Sequence, residues 1–481
     1  MPFMIAVAAT HDDKPPRGTG QRLLAHSMRS ALASLLVVAA AVGAAQAGTK
    51  ASHFVLDNGM EVVVVPNHRV PIVHQTLFYK VGASEDPAGY PGVAHFLEHM
   101  MFKGTERFPG NYFQNFATAN GGGSINGITT LDMTYYPQSL PKQHLAALME
   151  LEADRMINLQ LPEDQVAPEL RVVANERRGN ENSPGYLLME GVRSKLYPDH
   201  PYGRSGIGTE AEIAKLDRAK ALAFYQRYYG PSNAVLLVAG DVEEGEVRAL
   251  AEKTFGSIPR RELGERVIHP LPARSKADRV ELADERVSAP SIGMYYLTPS
   301  LSAMPRDDAA ALALLCEIAN KSLIGRFDRR LIIEQRVAVA ASASRSLDVQ
   351  AGSLSFTATA APGVSAPALE AALAKEVAAL ARDGVTEAEA DDVRRIFLAR
   401  AAYDDDNPQS RARNYGSGIA LGLTVAEVDT WKDALARVTR ADINRVADKY
   451  IAKAEPVIAV LLPKAAVAES ASNRPAPIPS P

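Results

Sequence analysis

Apolar and polar positions along the chain follow two periods. Phe54-Val-Leu56 and Glu61-Val-Val-Val-Val65 flank Asp57-Asn-Gly59, and an Asn-Gly between apolar runs predicts a β-hairpin. Residues 73–81 read as a further strand. The loop 86–92, with Pro87, Gly89 and Pro91, stops where a helix begins, and 108–119 reads as another helix. A glycine-rich break, Asn120-Gly-Gly-Gly-Ser124, leads into 125–136, a Thr/Tyr-rich strand candidate. Leu145, Leu148, Leu151 and Met156 recur at helical spacing within 141–160. Pro162 opens the next helix, which carries Glu169 and Glu176 to about Asn180. Residues 211–229 read as helix. The unbroken apolar run 234–240 reads as a strand buried on both faces.

After a Pro-, Arg- and Glu-rich stretch at 257–276 the order repeats. Strands are expected near Val280 and at 292–297, a helix at 309–323, a strand-rich stretch at 337–360, and helices at 366–382 and 386–402. A last helix at 443–450 leads to Val457-Ile-Ala-Val-Leu-Leu462, as Phe224 to Tyr229 leads to Val235-Leu-Leu-Val238. Two copies of one α+β unit, each a little over 200 residues, account for this periodicity. The boundaries read as an N-terminal extension at 1–47, a first domain at 50–262, a linker at 263–276, a second domain at 277–464 and a disordered tail at 465–481.

The totals narrow the classes. With 47% hydrophobic residues, 22% charged and a net charge of −4 over 481 residues, the chain is an ordinary globular one with no basic surface for nucleic acid or anionic lipid. The single cysteine, Cys316, excludes an intrachain disulfide framework and a cysteine-based metal cluster, so any metal must be held by His and carboxylate. Arg22, His26 and Arg29 precede the apolar run 31–45, which ends in Ala45-Gln46-Ala47. This is the layout of a secretory signal cleaved after Ala47, with Met28 as an alternative start and a periplasmic or secreted destination. An Arg/Ser-rich mitochondrial transit peptide is the competing reading, against which the uninterrupted apolar core speaks. The run falls short of the roughly 20 apolar residues that a membrane span needs.

The candidate chemistry lies in Gly92-Val-Ala-His95-Phe-Leu-Glu98-His99-Met-Met-Phe102. His95 and His99, four residues apart on a helix, share one face, and Glu98 reaches the same side. Two imidazoles from one helical turn begin a zinc site, and a nearby carboxylate suits a general base for metal-activated water. The plainer reading is two solvated histidines beside a surface glutamate. Glu169 and Glu176, seven apart on one later helix face, are on their own solvated charges. The counterpart of the His-bearing helix in the second copy, about 309–319, holds no histidine.

Taken in order, several stretches resemble the pitrilysin-type inverzincin (M16) family, in particular its short two-domain members related to mitochondrial processing peptidase. They are the H-x-x-E-H stretch continuing to Lys103-Gly-Thr105, Gly122-Gly-Ser-Ile-Asn126 with Thr129, Val172-Val-Ala-Asn-Glu-Arg-Arg178, His200-Pro-Tyr202 and Tyr229-Gly-Pro-Ser-Asn233 running on to Asp241. The resemblance covers about 55–465. It implies two homologous α/β-roll-like domains, each a mostly antiparallel sheet covered by helices, together forming half of a clam-shell chamber. It further implies one Zn2+ held by His95, His99 and Glu176, Glu98 as general base, and Glu169 as a carboxylate behind the ligands. Gly123, Asn126 and Thr129 would bind substrate along an exposed edge strand. One departure stands out. Members that act alone carry an Arg and a Tyr in the second domain, and here Leu331-Ile-Ile-Glu-Gln-Arg-Val-Ala-Val339 places Ile332 and Val339 at those positions, with Arg329, Arg330 and Arg336 out of register. A partner two-domain subunit supplying the pair in a heterodimer, or a homodimer, is therefore expected. The functional expectation is a secreted zinc endopeptidase for short or unfolded polypeptides. The alternative is a catalytically inactive core or assembly subunit of the same fold.

Overall fold

A computed structural model of the chain describes residues 51–464, apart from 124, 275 and 321–324. The expected signal segment and the tail lie outside the described residues. Two mixed sheets form the framework. The first joins β1 (Ser52–Val55), β2 (Glu61–Pro66), β3 (Ile72–Tyr79), β4 (Ile128–Thr129), β5 (Thr134–Pro141) and β6 (Ala234–Gly240) in the order β1-β2-β6-β3-β5-β4. The second joins β7 (Asp278–Asp284), β8 (Ser291–Thr298), β9 (Ala338–Leu347), β10 (Gly352–Ala360) and β11 (Val457–Pro463) in the order β7-β11-β8-β10-β9. Pairing is antiparallel except for β2 with β6 and β7 with β11. With β1 set aside, the two orders correspond strand for strand, the parallel pair included. The repeat read from the periodicity is thus present in the topology.

The helices repeat as well. In the first half α1 (Val93–Met100) connects β3 towards β4, while α2 (Leu145–Asn158), α3 (Glu163–Glu181) and α4 (Pro184–Leu196) lie between β5 and β6. In the second half α5 (Arg306–Asn320) follows β8, and α6 (Ala366–Arg382), α7 (Glu387–Asp406) and α8 (Pro408–Ala420) lie between β10 and β11.

The middle of each sheet is covered on both faces. On the first, Val62, Val64, Leu236 and Val238 pack with Phe96, Leu97 and Met149 of the half's own helices. Their neighbours Val63, Val65, Val235 and Leu237 point the other way and pack with Ala412, Tyr415 and Ile419 of α8, which belongs to the second half. The second sheet does the reverse, with Val457 and Ala459 covered by Leu188, Val192 and Leu196 of α4. The halves therefore exchange their third inter-strand helices. Neither exchanged helix carries a strong sequence signal. Gly185 and Gly191 interrupt α4, and Gly416 and Gly418 interrupt α8, each at a propensity cost of about 1 kcal/mol. The space explains the glycines. A Cβ at Gly416 would lie 2.0 Å from the Phe78 ring, and one at Gly191 would lie 2.7 Å from Val280.

A polar node also joins the halves. The Tyr202 hydroxyl donates to Asp132 Oδ2 at 2.5 Å and accepts from Gln350 N at 3.0 Å, while Val349 N donates to the same Asp132 oxygen at 2.9 Å. The Pro-rich stretch carries no helix or strand among its described residues from 259 to 277, but it is strapped down. Arg266 donates to Glu85 Oε1 at 2.8 Å and to Lys80 O at 2.9 Å, and His269 N donates to Gln350 Oε1 at 3.0 Å.

Two sequence expectations need correction. The strand expected over 125–136 is a hairpin, in which β4 and β5 are separated by a turn that the Thr130 side chain closes. Its Oγ1 accepts from Asp132 N and Met133 N at 3.3 and 3.2 Å, and Thr130 N donates to Met133 O. The helix expected over 211–229 is broken into Glu210–Ile213 and Arg218–Tyr228 because Asp217 caps the second piece, accepting from Lys220 N at 2.9 Å.

The exchange makes a prediction. Gly416→Val should lower stability by about 1–3 kcal/mol through overpacking against the buried Phe78, read as a lower urea midpoint. An unchanged or raised midpoint would show that the helix does not need this close approach.

Candidate metal centre

The site is assembled on α1. Gly92 precedes it in the left-handed region at φ 93°, and a Cβ there would lie 2.5 Å from Ile207 O, so glycine is required. The N-terminal amides are satisfied from outside the helix. The buried Asp86 carboxylate accepts from Gly92 N at 2.6 Å and Ala94 N at 2.8 Å, where the helix dipole favours negative charge. Burial raises this carboxyl to about 7 against the lowering effect of those two amides. Phe96, Leu97 and Met100 anchor the opposite face in the first core, which leaves His95 and His99 facing α3.

His95 and His99 stand with ring centroids 4.8 Å apart, tilted at 75°. Glu176 Oε2 lies 3.6 Å from His95 Nε2 and 3.5 Å from His99 Nε2. One ligand atom from each of the three falls within 4.8 Å of the others. Ligand atoms of a tetrahedral zinc, at about 2.0–2.1 Å from the ion, stand roughly 3.3 Å apart, so the donor set fits such an ion with small adjustment. Glu169, two turns before Glu176 on α3, is placed differently. Its Oε1 accepts from His99 Nδ1 at 2.8 Å, and its Oε2 pairs with Lys103. Glu176 is held on line through its neighbour Arg177, whose buried guanidinium bonds Glu181 and Glu190 at 2.7 Å each and locks α3 against α4.

The electrostatics differ from group to group. Burial and the adjacent His99 lower the His95 imidazole to about 4. Burial also works to lower His99, but the hydrogen bonds to Glu169 and Glu176 outweigh it and raise the ring to about 9. Glu98 is buried beside them, and its desolvation raises the carboxyl above its ordinary value, although Thr129 Oγ1 donates to its Oε2 at 2.7 Å. Gly127 closes over Glu98, and a Cβ at that position would stand 2.6 Å from Glu98 Cγ.

These groups line a cleft of about 520 Å³ whose far wall is formed by Ile125, Asn126, Gly127 and Thr129. Strand β4 is the edge of its sheet, so its outer backbone groups face that cleft. Of the residues that the resemblance implicates, His95, Glu98, His99, Glu169, Glu176, Asn126 and Thr129 come together here. Gly123 is not among the lining residues. Asp86, Lys103 and Gly127 were not singled out by the local pattern, because Lys103 meets Glu169 and Gly127 meets Glu98 only across the fold, and the partners of Asp86 are backbone amides. In the second half, α5 occupies the place of α1, and no histidine follows His269 in the whole chain. Ile332 is half-buried against the second core, and Val339 is exposed on the edge strand β9.

Comparison with known proteins agrees with the two-part layout. Residues 61–210 match the family model described as insulinase (peptidase family M16), and 215–397 match that of the peptidase M16 inactive domain. The zinc protease PqqE of Helicobacter pylori is 31% identical over 340 residues, covering 70% of this chain and 76% of that protein. Among solved structures, a protease from Helicobacter pylori superposes with a TM-score of 0.79 at 26% identity, covering 86% of this chain and all of that one, 100%. The periplasmic protease PqqL from Escherichia coli superposes with a TM-score of 0.75 at 23% identity, covering 86% of this chain and 48% of that one, a likeness of fold.

The capping arrangement is testable by itself. Asp86→Ala should cost about 1–2 kcal/mol, the range of a lost helix cap, in equilibrium urea unfolding. A loss within the roughly 0.5 kcal/mol typical of surface changes would show that α1 does not depend on this carboxylate.

Proposed function

The chain belongs to peptidase family M16, and we propose that it is a zinc-dependent endopeptidase acting on short or unfolded polypeptides. One observation carries the reading. Nε2 of His95, Nε2 of His99 and Oε2 of Glu176 converge to the spacing of a single ion, with the buried carboxylate of Glu98 alongside. His95, His99 and Glu176 would hold the metal through three protein ligands, the number that leaves a fourth position open in a catalytic site. Zinc bound there would acidify a water and polarise the scissile carbonyl.

The chain's own groups supply the rest. Glu98, with a carboxyl already raised by burial, takes a proton from the attacking water and returns it to the leaving amine. Thr129 holds the carboxylate through its Oε2, so that Oε1 remains for the proton. An extended peptide laid along β4 pairs its backbone with the free edge, and Asn126 and Thr129 flank the bond to be cut. Gly127, with no side chain, keeps the passage between edge strand and carboxylate open.

We also propose that the chain works with a second two-domain subunit. Ile332 and Val339 offer neither a cation nor a phenol at the positions where single-acting relatives carry an Arg and a Tyr. The exposed Ile333 and Val339 fit a face that is covered in an assembly. A periplasmic or secreted location, with cleavage after Ala47, follows from the N-terminal sequence and accords with the periplasmic PqqL. No helix among the described residues is long and apolar enough to cross a membrane.

Glu98→Gln should retain one zinc per chain and lose peptide hydrolysis by at least the 10²–10⁴-fold, in rough terms, that a general base contributes. Equal cleavage by both proteins would end the mechanism. Glu176→Gln should weaken zinc by more than the about 10–100-fold expected when only an outer partner is lost, measured by chelator competition. In light scattering and co-purification the active form should be a dimer, and full peptide cleavage by a monomer would contradict the partner.

A further inference from the structure

One turn past the ligand helix, the metal face ends on a cation. Lys103 follows His99 by four residues, as His99 follows His95, so the three share one side of α1 and the turn after it. A cation beside an expected Zn2+ is unfavourable by itself. Its position explains it. The Lys103 ammonium pairs with Glu169 Oε2, while Glu169 Oε1 accepts the Nδ1 proton of His99 at 2.8 Å. Both oxygens of Glu169 are thereby occupied, and Glu169 is almost wholly buried, so it has no freedom to turn towards the imidazole Nε2 atoms. Glu176, two turns on, carries no such clamp among the described residues and presents Oε2 to both rings.

We infer that Lys103 is a positioning residue that decides which of the two α3 carboxylates takes the metal. By holding Glu169 as an outer partner it fixes His99 with Nε2 towards the ion and leaves Glu176 as the third ligand. Two carboxylates on one helix face, both within reach of the histidines, otherwise compete for the site, and the competitor's gain would be lost to His99 orientation. The asymmetry between the histidines supports this. Among the described residues His95 Nδ1 is buried without a hydrogen-bond partner, so the outer-sphere orientation observed there passes through the His99–Glu169–Lys103 chain. The inference rests on the zinc-site reading above and deepens it.

The test uses the full-length protein, loaded with zinc or cobalt, in wild-type, Lys103→Met, Lys103→Arg, Glu169→Gln and Lys103→Met/Glu169→Gln forms. Zinc affinity by chelator competition should fall about 10–100-fold in Lys103→Met, the cost of losing an outer partner, and recover in Lys103→Arg. The double variant should bind no more weakly than Glu169→Gln alone, because Lys103 acts only through that carboxylate. The visible spectrum of the cobalt form should change in Lys103→Met, since a different carboxylate enters the ion's shell, and a merely structural lysine would leave it unaltered. Urea unfolding of the metal-free proteins separates misfolding from loss of affinity. Wild-type affinity and spectrum in Lys103→Met, or additive losses in the double variant, overturn the role of Lys103 while leaving the zinc site standing. A wild type that takes up no metal overturns both.

Discussion

Everything in this molecule rests on a packing constraint. A strand such as β6, buried on both faces, needs two apolar partners, and the helices of its own half provide one. The other comes from the opposite half, where α8 lies on the first sheet and α4 on the second. Alternation along β2 and β6 sends successive valines and leucines to separate cores, so both must form before either sheet is dry. The hydrophobic term, about 25 cal/mol for each Å² of apolar surface buried, is large enough over such a face to outweigh the roughly 1 kcal/mol each glycine costs a helix. That is why Gly416 and Gly191 occur in the middle of helices.

The site inherits its precision from this framework. β5 is pinned to α2 by a buried pair in which Arg155 bonds Glu152 at 2.7 Å beneath the Tyr136 ring, and Gln138 completes the carboxylate's bonds at 2.9 Å. Tyr136 neighbours the β4 hairpin, so the edge strand and Thr129 are held in register with Glu98. Replacing either charge alone would leave the other buried and unpaired, a cost of about 3–5 kcal/mol. The fixed hairpin and the capped α1 set the distance between edge strand and ligands, and the Arg177 cluster sets the angle from which α3 delivers Glu176. Two glutamates on the same face of α3 then stand differently towards the histidines. Glu169 is saturated by His99 and Lys103, and Glu176 is free to bind.

Much of this is legible in the sequence. The H-x-x-E-H face requires only helical periodicity, and the duplicated strand and helix order requires only that the pattern recur. The hairpin over 125–136 was not legible, because a threonine side chain closes its turn and a Thr/Tyr-rich run has the same strand propensity on both sides. The helices α4 and α8 were hidden because local propensity there opposes the fold, and tertiary burial wins. The resemblance implies Gly123 in substrate binding, yet it is not among the residues that line the cleft.

The sequence by itself determined that two histidines and a glutamate share a helix face, that one half of a duplicated chain carries them, and that one cysteine can build neither an intrachain disulfide nor a cysteine-based metal cluster. These are statements about spacing within one element, where covalent geometry suffices. The resemblance had implied Glu176 over Glu169, and the tertiary structure sets Glu176 against both imidazoles; it alone decided that Lys103 occupies the other carboxylate and that Thr129 and Gly127 close over Glu98. Such choices depend on which distant segments share a volume, and side-chain contact across about 70 residues of chain is set by how helices and sheets pack, which local periodicity does not encode.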